Sequence, residues 1–160
     1  MSKPKIYLET TIFNFPFADD APQLREDTLK LFEEIRAGKY EPYTSIYAID
    51  ELNDTKQPEK LEKMKKLIGK YDITIISGSG EAEKLAALYL AEGVINRKYS
   101  NDALHIAITT VTGLDFIVSL NFQHIVRLKT IQETAMINER EGYKQINIYE
   151  PSEVINGKNR

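Results

Sequence analysis

The sequence has no cysteine. Disulfides and thiolate metal sites are therefore excluded, and a reducing cytoplasm is the natural setting. Long apolar runs are missing as well: nothing approaches the roughly 20 residues of a membrane span. The opening stretch "MSKPKIYLETT" lacks the extended apolar core of a secretion signal. A soluble, cytoplasmic protein with no membrane partner is expected. No repeat, low-complexity segment or internal linker interrupts the chain. Nor is there a strong excess of one charge, since 21 Lys and Arg face 24 Asp and Glu for a net charge of −3. That balance argues against a chain wrapped wholesale in nucleic acid but leaves room for a local basic patch.

What is present is an alternation of short apolar runs and amphipathic stretches over 160 residues. One domain, 1–160, suits this length and would bury roughly two-thirds of its unfolded surface. A tail from about 150 is expected to be poorly ordered. "KIYLE" (5–9), "YEPYTS" (40–45), "YDITIIS" (71–77) and "LDFIVSLN" (114–121) read as strands, and "YKQINIYEPSEVI" (143–155) contributes a last one. "TTIFNFPFADD" (10–20) reads as a turn or short helix broken near Pro16. Helices are expected over 21–39, 45–55 with Ser45 as cap, 57–70, 80–93, the stretch opening at Ser100, and 122–142. Gly38, Gly93 and Gly113 are natural stops. Such alternation implies an α/β fold with a mainly parallel sheet covered on both faces.

Ligand sites in these sheets gather beyond the carboxyl ends of the strands. The first strand ends at Glu9, the second near Ser45, with Glu51 one to two helical turns on, and the fourth near Asn121. Asp102 opens the helix feeding that fourth strand and is expected to cap it and also to serve as a ligand. Acids gathered from such distant segments repel one another and usually persist by binding a cation. Oxygen ligands without Cys or His select Mg²⁺ or Mn²⁺. Asp115 is set aside: at about 3.3 Å per residue it stands on the order of 20 Å from Asn121, at the amino end of the same strand.

Four blocks, "IYLETTIFNFPFADD", "SIYAIDEL", "NDALHIAI" and "LDFIVSLNFQHI", occur in an order that resembles the PIN domain family, many of whose members are toxin ribonucleases of toxin–antitoxin pairs. The likeness runs from about residue 5 to 126. It implies a PIN-like three-layer α/β/α fold with a twisted central sheet, a pocket of acids holding Mg²⁺ or Mn²⁺, and hydrolysis of RNA phosphodiester bonds. It further implies an antitoxin protein as partner and a homodimer. Carried over by position, the three family acids are Glu9, Glu51 and Asp102, the expected catalytic and metal-holding residues. The hydroxyl after the first acid falls at Thr10 or Thr11, and the fourth polar position at or near Asn121. Ser119 joins these around the metal or toward substrate. The family usually has Asp where Glu9 stands, and an acid often occupies the position of Asn121.

Asp50 and Glu51 point roughly 100° apart on a helix, so only one faces the pocket; the family motif favours Glu51. His105 is expected to be a packed or hydrogen-bonded histidine, and both it and His124 stay outside the catalytic set. Arg97 and Lys98, just before Asp102, are the expected RNA contacts; the lysines at 56, 60, 63, 65, 66 and 70 read as a solvated face. "FNFPF" reads as core, as a dimer contact or as a stacking surface for a base, with core or dimer contact favoured. Two rivals differ in class: a non-catalytic PIN-fold module binding RNA or protein through a degenerate metal site, and a flavodoxin-like phospho-acceptor. The second would need a lysine after a later strand, and "SLNF" offers none.

Overall fold

The structure, a computed structural model, describes residues 2–155. Ile6, Tyr7 and Leu8 are buried on both sides of the first strand, β1 (Lys5–Leu8), as befits the centre of a parallel sheet. β2 (Glu41–Ser45), β3 (Thr74–Ile76), β4 (Phe116–Val118) and β5 (Asn147–Tyr149) complete it in the order β3-β2-β1-β4-β5. Every pairing is parallel: Tyr7 lies opposite Tyr43 on β2 and Ile117 on β4, and Ile117 opposite Ile148 on β5.

Successive residues of a strand face opposite sides, and the two cores follow that rule. Tyr7, Ile117 and Ile148 join Leu85, Tyr89, Ile106, Ile125 and Ile137 on one face. These come largely from α5 (Gly80–Ala91), α6 (Ser100–Val111) and α7 (Leu128–Arg140). Ile6, Leu8 and Val118 join Phe13, Leu31, Phe32, Leu52 and Met64 on the other. Those helices are α1 (Thr10–Asn14), α2 (Pro22–Arg36), α3 (Ile46–Asn53) and α4 (Pro58–Lys70). The result is the expected three-layer α/β/α, PIN-like arrangement. No helix among the described residues is long and apolar enough to cross a membrane.

Three expectations need correction. Residues 151–155 are no loose tail: they form α8 (Pro151–Ile155), whose Pro151 and Val154 are buried, while residues 156–160 lie outside the described part. The strand expected over 114–121 stops at Val118. Beyond it the backbone N–H groups of Leu120 and Asn121 donate to the hydroxyls of Thr11 and Ser119 instead of a neighbouring strand. The helix expected from 122 begins only at Leu128. Asn121 closes the intervening turn, its side-chain oxygen accepting from the His124 N–H at 3.0 Å and its carbonyl from Ile125 and Val126.

Candidate metal centre

The chain leaves the carboxyl end of β1 through Glu9, whose backbone is extended and whose N–H still donates to Val118 O at 3.1 Å. Two residues past Tyr7, its side chain falls on the same side of the strand. Glu9 is 2% exposed. A carboxylate so deeply placed needs partners, and Oε1 accepts from the hydroxyls of Thr11 and Ser119, each at 2.6 Å. The strand order reverses between β1 and β4, so Glu9 and Ser119 straddle the switch point where open α/β sheets form their crevice. The methylene that distinguishes Glu9 from aspartate thus ends in a defined pair of hydroxyl bonds.

Ser45 ends β2 and caps α3 by accepting from the Tyr47 N–H at 3.2 Å. The second turn of that helix carries Glu51, half-buried, while Asp50 beside it is exposed. Glu51 Oε1 accepts from the Thr10 hydroxyl at 2.7 Å and meets His105 Nε2 at 2.5 Å. The other ring nitrogen, Nδ1, lies 2.6 Å from the Tyr7 hydroxyl, which lies 2.6 Å from Ser45 Oγ. A chain of polar contacts therefore runs Ser45–Tyr7–His105–Glu51–Thr10, drawn from β2, β1, α6, α3 and α1.

Burial opposes charge on both members of the His105–Glu51 pair, yet their mutual contact outweighs it. Glu51 is held below the usual carboxylate range, with Thr10 and Asn101 assisting. For the fully buried His105, the Glu51 bond and the charges of Glu9, Glu51 and Asp102 raise the pKa above its ordinary value. Burial pushes the Tyr7 phenol far up, so it remains protonated.

Asp102 lies in the first turn of α6, but the N-cap residue is Tyr99 and no side-chain cap bond forms there. The expected capping role is corrected accordingly; the N-terminal end of the helix still favours the charge. Asp102 is 8% exposed. Burial first, then the charges of Glu9 and Glu51, raise its pKa, with His105 and His124 acting against them. Ligand atoms of Glu9, Glu51 and His105 lie within 4.8 Å of one another. Asp102 stands beside this close triad, within reach of its field.

The remaining expected residues divide. Thr10, Thr11 and Ser119 bond the two glutamates directly. The amide oxygen of Asn121 is engaged in its own turn. Arg97 and Lys98 are exposed in a 3₁₀ turn, 97–99, capped by Asn96. Phe13 is buried and Phe15 and Phe17, partly buried, pack against the second core, so "FNFPF" contributes to the core as expected. Asp115, at the amino end of β4, accepts from Lys5 N at 2.7 Å and from Lys144 Nζ at 2.9 Å. A cleft at that end, lined by Lys3, Tyr40, Asp115 and Phe116 among others, holds an acid that is already paired.

Sequence reasoning missed the joint role of Tyr7, Ser45 and His105. One signal was present: Tyr7 stands two residues before Glu9, between the aliphatic Ile6 and Leu8. Replacing it tests the chain of contacts. Tyr7→Phe removes the hydroxyl between Ser45 and His105 and should cost about 1–3 kcal/mol, the penalty of unpairing buried polar groups. Chemical denaturation measures this, and an unchanged midpoint would show that the hydroxyl adds nothing.

No protein-family model matches the chain, and no curated protein matches it in sequence. Its fold is similar to that of a chain in the crystal structure of VapBC2 from Rickettsia felis bound to a DNA fragment from their promoter. The TM-score is 0.55 over 91% of this chain and 98% of that one, at 15% identity. At that identity the likeness carries the fold alone.

Proposed function

We propose that this chain is a member of the PIN domain family and a divalent-cation-dependent endoribonuclease, the toxin of a toxin–antitoxin pair. It works in the cytoplasm as a homodimer restrained by an antitoxin protein. The observation that carries this reading is the close cluster of Glu9, Glu51 and His105, their ligand atoms within 4.8 Å of one another at the switch point of the sheet, with Asp102 near enough for the charges of Glu9 and Glu51 to raise its pKa. Like charges confined in this way favour a dication. The donor set fits Mg²⁺ or Mn²⁺, because its available atoms are carboxylate oxygens. His105 is fully buried and has both ring nitrogens engaged, so it is a positioning residue for Glu51 and not a ligand.

Glu9 and Asp102 would hold the cation. When bound, it neutralises charge developing on the phosphoryl oxygens and lowers the pKa of water. Glu51, fixed by Thr10 and His105, orients the attacking water. Thr11 and Ser119 hold Glu9 so that its geometry is set before substrate arrives. Water oxygen bonds to phosphorus as the P–O bond to the leaving ribose oxygen breaks; a carboxylate takes the water's proton, and solvent supplies one to the leaving oxygen.

A non-catalytic module remains the rival, because no buried side-chain polar atom among the described residues lacks a hydrogen-bond partner. Thermal unfolding against Mg²⁺ and Mn²⁺ separates the two readings. A working site should gain about 2.7 kcal/mol at a cation concentration one hundred times the Kd. Na⁺ at equal ionic strength should give no comparable gain. Equal responses to monovalent and divalent salt would favour the rival.

A further inference from the structure

Two aromatic rings stack at the edge of the acidic cluster without belonging to either core. Tyr99, in the 3₁₀ turn before α6, lies over His124 with ring centroids 3.9 Å apart and planes inclined by 26°. Tyr99 is the N-cap residue of α6, three residues before Asp102, and His124 lies in the turn just past the carboxyl end of β4, its N–H donating to the Asn121 side chain at 3.0 Å. The stack therefore borders the centre described above. Tyr99 remains 38% exposed, and Phe122, two residues before His124, is 41% exposed. Lys98 reaches over the Tyr99 ring, with Nζ 5.9 Å from its centroid, and Arg97 is exposed beside it.

A rigid, half-exposed aromatic flanked by cations and set against a cation site suits one chemistry in particular, a flat ring attached to a phosphate chain. Stacking on an aromatic tolerates any base, because every base offers a π-face. Duplex RNA keeps its bases paired and inaccessible, so the surface favours a single strand. Resting on the nuclease reading, we propose that Tyr99, backed by His124, is the platform on which a base of single-stranded RNA beside the scissile phosphate stacks. Lys98 and Arg97 lie along the adjoining backbone.

The chain has no tryptophan, so Tyr99→Trp installs a single indole reporter at the platform. An eight-nucleotide single-stranded RNA in Mg²⁺ should quench its emission immediately on mixing. An abasic oligomer of equal length and charge should not, nor should an RNA duplex. Tyr99→Ala should weaken binding of the same RNA roughly 5- to 100-fold, the range expected for one stacked base. Tyr99→Phe should stay near wild type, and thermal unfolding checks that each variant folds. RNA that binds the Tyr99→Trp variant, read by anisotropy of a labelled strand, without altering indole emission overturns the proposal. Binding by Tyr99→Ala within twofold of wild type does so too. Wild-type cleavage is scored separately: if it persists while Tyr99→Ala keeps the same KM, the platform fails and the nuclease reading stands. If wild type neither binds nor cleaves RNA, both fail.

Discussion

Asp102→Asn is expected to abolish cation-dependent RNA cleavage while raising the Tm of the cation-free protein. The two effects have one cause. Burial and the charges of Glu9 and Glu51 raise the Asp102 pKa in the folded chain. A raised folded pKa means that this group's contribution is fully present below its unfolded value of about 3.9. That contribution is lost as the pH rises through the folded value. At pH 7 the ionised side chain therefore opposes folding, and a neutral amide of the same shape relieves it. The same charge is what holds a cation. Its removal withdraws several kcal/mol of transition-state stabilisation, on the order of a 10³-fold loss of rate. A cleavage assay in Mn²⁺ and a thermal scan in EDTA read the two arms. Full activity would remove Asp102 from the mechanism, and a lower Tm in EDTA would contradict the electrostatic account.

His105→Ala is expected to be the most destabilising change at the centre. The ring is wholly buried, and its loss takes one of two polar partners from the Tyr7 hydroxyl and one from Glu51, leaving them Ser45 and Thr10. Removing a large buried side chain costs about 2–5 kcal/mol through the cavity it leaves, and the loss of one buried hydrogen bond at the Tyr7 hydroxyl adds to this. Glu51 is only half-buried, so water recovers part of its loss. With about 2–4 °C per kcal/mol for a chain of this size, Tm should fall by roughly 10 °C. Cleavage should fall as well, because Glu51 loses the contact that orients it. His105→Gln, which retains a side-chain donor, should recover part of both. The pairing with Tyr7 is testable by a double-mutant cycle, in which contacting residues couple by about 0.5–3 kcal/mol. Strict additivity of His105→Ala and Tyr7→Phe would show that the two side chains act separately.

The order of strands and helices was legible because buried strands and amphipathic helices leave different periods in the sequence. Glu9 was legible because it ends a short apolar run, and Asp115 was excluded by strand length alone. Other features depend on partners distant in the chain. "FQHIVRL" has helical spacing, yet Asn121 closes a turn there and delays α7 to Leu128. Leu114–Asn121 resembles one long strand, but the hydroxyls of Thr11 and Ser119 capture its last N–H groups. The suitability of Ser100, Asn101 and Asp102 as caps was genuine, but α6 starts at Ser100 directly after the 3₁₀ turn, so the N-cap position falls to Tyr99, which makes no side-chain cap bond. The choice between Asp50 and Glu51 needed the orientation of α3. His105 stands three residues after Asp102 in sequence, but its contacts come from β1 and α3, and no local pattern announces them.

Diffraction from crystals soaked in Mn²⁺, with data collected at the manganese absorption edge, tests the site itself. The anomalous peak is expected beside Glu9 and Asp102, about 2.2 Å from carboxylate oxygens, between the usual Mg²⁺ and Ca²⁺ distances, and it should vanish in Asp102→Asn. A peak at any other place, or none at saturating Mn²⁺, would contradict the account.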